Sequence, residues 1–279
     1  MRWSGGRGSG NIEDRRGLGP AGAVGGLGAG GLILALIGYF VFGVDPSTTT
    51  SVLGGGAQVQ QQEGVRGGPA DEAGRFVDVV ATNVDDVWKA QLEGYRPADA
   101  IVLYDRATGT GCGMGQSAMG PFYCPADRKV YLDLTFWQEL EGKFGASGEA
   151  ARAYVIAHEI GHHVQNLTGA SDRAQRMGAR GAESGSVRLE LQADCYAGVW
   201  AAHAAAVSNG QVALDPRDIE DGLRAAAAVG DDALQRQAQG RVMPDAFTHG
   251  SSEQRMRWFR RGAETGDPAA CDTFAARTL

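Results

Sequence analysis

The chain reads as an α+β protein, mostly helical with a small β-sheet, preceded by one transmembrane helix. Three observations predict this. An uncharged apolar block lies near the N-terminus, several later stretches carry apolar residues at helical spacing, and only two short runs have strand character.

The block comes first. Ala23 to Val44 holds no charged residue, and as a helix it would be about 33 Å long, matching a bilayer core of about 30 Å. Its firmest part is Gly30 to Val44. Arg2, Arg7, Arg15 and Arg16 precede it, Asp45 follows it, and the next basic residue is Arg66. The positive-inside rule then predicts residues 1–17 as a cytoplasmic segment and everything after the span outside. No small-x-small cleavage site follows the block, so residues 18–44 are expected to form an uncleaved, glycine-rich anchor, single-pass in the cell membrane. Residues 45–70 are rich in Gly, Gln, Ser and Thr, the composition of a flexible linker that buries no core. A single folded domain is expected over 71–279.

With 26 Lys and Arg against 33 Asp and Glu, the chain has a net charge of −7. There is no basic block, which argues against a nucleic-acid partner. Charge favours no other partner and leaves the oligomeric state open. Four cysteines fall on the expected outer side, where disulfides form. Spacing favours Cys112 with Cys124 across a glycine-rich loop, leaving Cys195 to pair with Cys271, though three connectivities are formally possible. No C-x-x-C pair offers a cysteine metal site.

Within the domain, Phe76, Val79, Val80, Val84, Val87, Trp88 and Leu92 predict an amphipathic helix over 75–92. Residues 100–104 (AIVLY) and 129–134 (KVYLDL) predict strands. The glycine-rich stretch between them reads as a stapled loop. Helices are predicted over 149–167, 186–208, 215–229, where Asp215-Pro216 supplies an N-cap and a Pro at N1, and from Ser251 through Phe259 behind a capping-box pattern. Residues 169–185 read as a polar connection.

Inside the helix at 149–167 stands His158-Glu159-Ile160-Gly161-His162. At about 100° per residue, positions 158 and 162 lie only about 40° apart, so both imidazoles reach one metal ion from one face. Glu159 sits beside that face as a general base for a metal-activated water. Ile156, Ile160, Val164 and Leu167 fall opposite and are expected to be buried. His163 points roughly 120° away from the ligands and reads as packed or solvent-facing. A catalytic zinc needs three protein ligands, and Glu190-Leu191-Gln192-Ala193-Asp194 offers two carboxylates on one helical face: one to bind metal, the other to fix a histidine tautomer.

The H-E-x-x-H and E-x-x-x-D pair resembles the gluzincin metallopeptidases. More specifically, GPFYCPADRKVYLD, AYVIAHEIGHHVQNL, SVRLELQADCYAGVW, GDDALQ and FTHGSSEQRMRWF, with MRW and GNIEDRRG near the N-terminus, resemble the bacterial neutral zinc metallopeptidase family over nearly the whole chain. The resemblance implies a zincin-like domain in which His158, His162 and Glu190 hold Zn2+, Glu159 activates water, and Asp194 orients His158. His249 and Arg255 resemble the T-H-x-S and Arg element that lines the site in integral-membrane gluzincins, and so enter as catalytic candidates. By the same analogy the strand at 129–134 would align a peptide substrate. The function expected is hydrolysis of peptide bonds in proteins or peptides by a membrane-anchored enzyme. The alternatives are a non-catalytic zinc-stabilised interaction module and a zinc amidase acting on cell-wall peptide.

Overall fold

Asp71 caps the first long helix, its carboxylate accepting from Gly74 N at 3.0 Å. In the computed structural model, which describes residues 1–18, 63–142 and 145–279, this helix is α1, Glu72–Gln91. It buries Phe76, Val79, Val80, Val84, Val87 and Trp88 of the predicted stripe, and Val77 besides, while Leu92 is its partly buried C-cap. The other long helices also form where the periodicity places them: α3 (Glu149–Thr168), α5 (Gly185–Val207), α6 (Pro216–Ala228) and α8 (Ser252–Thr265). Capping boxes open both α6 and α8.

Three shorter helices have no counterpart in the sequence reading. They are α2 (Phe136–Gly142), α4 (Ala170–Arg176), inside the expected connection, and α7 (Asp231–Gln239). Helices this short bury too few apolar residues to show a period and are held by their neighbours.

The central sheet has the order β2-β1-β3-β7-β6, from β1 (Ile12–Asp14), β2 (Val65–Arg66), β3 (Ala100–Tyr104), β6 (Phe122–Cys124) and β7 (Lys129–Asp133). β1, β3 and β7 run parallel, and the outer strands are antiparallel to their neighbours. The expected stapled loop contains a hairpin of β4 (Ala107–Thr110) and β5 (Gly113–Gln116) before β6. The Cys112–Cys124 disulfide ties its tip to β6, and Cys195–Cys271 ties the C-terminal segment to α5. Both strands named from sequence exist. However, β7 is paired by β3 along one edge and by β6 along Lys129–Tyr131 on the other. Over Lys129–Tyr131 that edge is therefore closed to a substrate strand, and the outermost strand on that side is β6.

The N-terminal segment corrects the predicted topology. β1 lies inside the sheet, with Arg15 N donating to Leu103 O at 2.8 Å and Ile101 N to Asn11 O at 3.0 Å. Trp3 is buried edge-on against Phe76, and its indole N–H donates to Glu149 in the first turn of α3 at 2.6 Å. Residues 1–18 and the domain thus share one core and cannot lie on opposite sides of a bilayer. β2 returns antiparallel beside β1, so the chain leaves and re-enters at the same place. Among the described residues no helix is long and apolar enough to cross a membrane. The transmembrane helix is therefore removed from the fold class, and the single-pass membrane localisation, with a cytoplasmic N-terminus and an external domain, is overturned with it. The apolar block at 23–44 itself lies outside the described residues.

The helices pack closely because small residues meet. α5 crosses α8 with Gly198 against the Phe259 carbonyl and Gly262 against that of Cys195, where a Cβ on either glycine would collide with backbone. α3 approaches α5 through Gly161, whose added Cβ would lie 3.3 Å from the Ala193 backbone. That approach brings the two motif helices together.

Candidate metal centre

Helix α3 presents His158 and His162 one turn apart, their rings 4.7 Å between centroids, and α5 supplies Glu190 opposite them. Glu190 Oε2 lies 3.2 Å from His158 Nε2, and Oε1 lies 3.5 Å from His162 Nε2. One ligand atom from each residue falls within 4.8 Å of the others. Metal–donor bonds of about 2.1 Å in a tetrahedron put neighbouring donors about 3.4 Å apart, so both contacts of Glu190 suit one zinc ion. The donor set, two imidazoles and a carboxylate, is also that of a zinc site with an open position. These residues fit zinc, and they stand where the sequence reading places them.

Each histidine is held from behind. His158 Nδ1 lies 2.9 Å from Asp194 Oδ1. Asp194 is fully buried and accepts from Tyr154 OH at 2.5 Å and from Arg255 Nε and Nη2 at 2.8 and 2.9 Å. Arg255, 4% exposed, also donates to the Val229 carbonyl and to Tyr154 OH, each at 3.2 Å, so its guanidinium is held among these groups and Asp194. Burial opposes ionisation of Asp194, but the Arg255 cation and the His158 hydrogen bond outweigh it and hold the carboxyl below its ordinary range. For His158, burial works against the charged ring. Hydrogen bonds to Asp194 and Glu190 prevail and raise its pKa to about 10. Glu190 is pushed well below the usual carboxylate range, because the charges of His162, His249 and His158 overcome its burial. His162 Nδ1 meets Gln165 Oε1 at 2.8 Å.

Glu159 is 7% exposed and lines the same cleft as His158, His162 and Glu190. His249 lines it from the far side, on the loop before α8. That loop is organised by Asp231, whose Oδ2 accepts from the backbone N–H groups of Thr248, His249 and Gly250 at 2.7, 2.7 and 3.0 Å. Asp231 Oδ1 lies 3.3 Å from His249 Nδ1. Burial opposes the charged ring of His249, but the Glu190 charge and Asp231 raise its pKa. His163 is 1% exposed and turned away from the ligands, between Tyr123 OH and the Arg96 carbonyl. Leu167, expected on the buried face of α3, is 39% exposed.

Sequence reading missed Tyr154, Gln165 and Asp231. Tyr154 stands one turn before His158 and Gln165 three residues after His162, so helical spacing alone could have flagged both. Asp231 lies in the quoted GDDALQ segment, but nothing local connects it to position 249.

Two motif helices bring a histidine pair, a glutamate and a second carboxylate to one cleft on an α+β scaffold, a donor set of the kind that zinc hydrolases use. The chain belongs to the family described as "Putative neutral zinc metallopeptidase", whose model matches residues 1–274. It is similar to the uncharacterized protein YpfJ of Escherichia coli K12, at 46% identity over 293 residues, covering 98% of this chain and 99% of the relative. It is also similar to the uncharacterized protein Rv2575 of Mycobacterium tuberculosis H37Rv, at 54% identity over 220 residues, covering 75% and 74%. No solved structure matches. The family implies Zn2+ as the metal, and the His158, His162 and Glu190 group could bind it.

Proposed function

We propose that the protein is a zinc endopeptidase that cleaves extended polypeptide by direct attack of water, with His158, His162 and Glu190 as ligands and Glu159 as general base. The observation that carries this reading is Glu159 lining the same cleft as a three-donor metal group. Bound there, zinc would supply Lewis acidity, polarising a carbonyl and lowering the pKa of a water to roughly 7. Glu159 takes the proton of the attacking water and delivers it to the leaving amine, so no covalent enzyme intermediate is needed. His249, backed by Asp231, donates to the oxygen that gains charge. Asp194 orients His158, and Arg255 acts through Asp194 instead of touching substrate.

Two features support an endopeptidase. The cleft, ≈ 1150 Å³, runs between Phe122 and Tyr123 of β6 and Leu234 and Ala238 of α7, roomier than the roughly 300–1,000 Å³ typical of small-ligand pockets. Among the described residues its lining contains one arginine or lysine, Arg255, which is committed to Asp194. Among the described lining residues no arginine or lysine is left to hold a terminal carboxylate, which disfavours a carboxypeptidase.

The test compares the full chain with its Glu159→Gln variant for zinc content and cleavage of an unfolded protein mixture. The expected result is one zinc in both and cleavage by the native chain alone. Equal cleavage by both would remove Glu159 as the base, and zinc in both with cleavage in neither would overturn the peptidase reading for this substrate class.

A further inference from the structure

A metal ion takes only the ring nitrogen of a histidine that carries no proton, and the partner of the other nitrogen decides which one that is. His162 Nδ1 faces the side-chain amide of Gln165. An amide presents a donor at one end and an acceptor at the other, so its surroundings must set its direction. The nitrogen end of Gln165 lies 2.6 Å from the Leu189 backbone carbonyl, which can only accept. The oxygen end is thereby turned to His162, whose Nδ1 must donate.

The same nitrogen also donates to Gln192 Oε1 at 3.2 Å, and Gln192 is oriented by the same logic, its own amide nitrogen donating to the Cys271 carbonyl at 3.0 Å. Two backbone carbonyls therefore impose one direction on the whole chain of bonds, from His162 through Gln165 and Gln192 to Cys271. Both glutamines are buried. Gln192 sits between Glu190 and Asp194 on α5, and Cys271 is bonded to Cys195, the neighbour of Asp194. One covalent tie thus stands behind the supports of both histidines.

We propose that the Gln165–Gln192 relay, anchored on the Cys271 carbonyl, is a positioning device that fixes the tautomer and ring plane of His162, so that Nε2 offers its lone pair beside Glu190. This makes the C-terminal segment part of the metal centre. It also leaves the two histidines differently supported, His158 by a carboxylate and His162 by a neutral amide. The inference rests on the metal-centre reading above.

The experiment uses the full chain, Gln165→Leu and Gln192→Leu. Zinc affinity is measured by competition with a chelating dye, and ligand geometry by the d–d absorption of the cobalt-substituted protein. Gln165→Leu is expected to bind zinc about 10–100-fold more weakly, Gln192→Leu less weakly than that, both with altered cobalt spectra. In the native protein the side-chain amide protons of Gln165 and Gln192 should exchange slowly with solvent by NMR. Affinity within twofold of native and an unchanged spectrum in Gln165→Leu would overturn the relay. If that variant does not fold, the same result in Gln192→Leu, or fast exchange of the native amide protons, overturns it. A native chain that binds no zinc would instead overturn the metal-centre reading, which separates the two failures.

Discussion

Arg255→Met separates two roles for a buried guanidinium, one touching substrate and one holding Asp194. Methionine preserves most of the apolar arm but removes the cation that Asp194, 0% exposed, faces at 2.8 and 2.9 Å. Deleting one partner of a buried ion pair costs about 3–5 kcal/mol, because the other charge is left uncompensated. In a domain of this size about 1 kcal/mol moves Tm by about 2–4 °C, so the metal-free variant should melt roughly 6–20 °C lower. Asp194 then orients His158 less firmly, and zinc affinity should fall by about 10–100-fold. Adding Asp194→Asn, an amide that needs no counter-charge, should recover part of the Tm while zinc affinity stays low. Thermal unfolding by circular dichroism and zinc competition report the two quantities separately. Native Tm and native zinc affinity accompanied by lost turnover would refute this reasoning and return Arg255 to the substrate.

Two further outcomes follow from charge and burial. Burial raises the pKa of Asp85 to about 6, against a hydrogen bond from Tyr95 OH that favours ionisation. Below about pH 4 the group is neutral folded or unfolded and costs nothing; the cost grows as pH rises and is complete above about 6, amounting to about 3 kcal/mol for a shift of about two units. Asp85→Asn should therefore stabilise the chain at pH 7.5 and be neutral near pH 4, and a variant-minus-native difference in unfolding free energy of the same size at both pH values would contradict this. In the metal-free protein the raised pKa of His158, about 10, means its contribution to stability is complete below about pH 6.5 and lost as pH rises through about 10. Since zinc needs the neutral ring, binding at pH 7.5 should release about one proton from His158, measurable by calorimetry in buffers of differing ionisation enthalpy. Release near zero would show that the ring is already neutral.

The candidate site was legible to the extent that it is local. His158, Glu159 and His162 are set by one helical period, and Glu190 and Asp194 by another, so each motif could be placed on a helix face without knowing the fold. The capping residues Asp215 and Ser251 were readable for the same reason. What was not legible depends on contacts between distant segments. Tyr154 and Arg255 meet at Asp194 from α3 and α8, 101 residues apart. Asp231 reaches the loop at 248–250 through space, and Gln192 finds Cys271 across 79 residues.

The N-terminus shows most clearly where local reading fails. Four arginines before an apolar block satisfy the positive-inside rule, which weighs charge and hydrophobicity along the chain and has no knowledge of pairing. Three of those arginines are tied to the fold: Arg7 is paired with Asp86, Arg15 is buried against Glu13, and Arg16 is paired with Asp14 and Asp71. The last two act as structural cations beside a strand too short to announce itself. By itself the sequence determined the family and the long helices and named the candidate metal donors, because a 3.6-residue period, capping chemistry and motif spacing are written in neighbouring residues. Only the tertiary structure decided that residues 1–18 belong to the same body as the metal centre, which strand lies outermost beside the cleft, and which groups stand behind each histidine. Those depend on parallel strand pairing and buried hydrogen bonds, whose partners are fixed by how the whole chain packs.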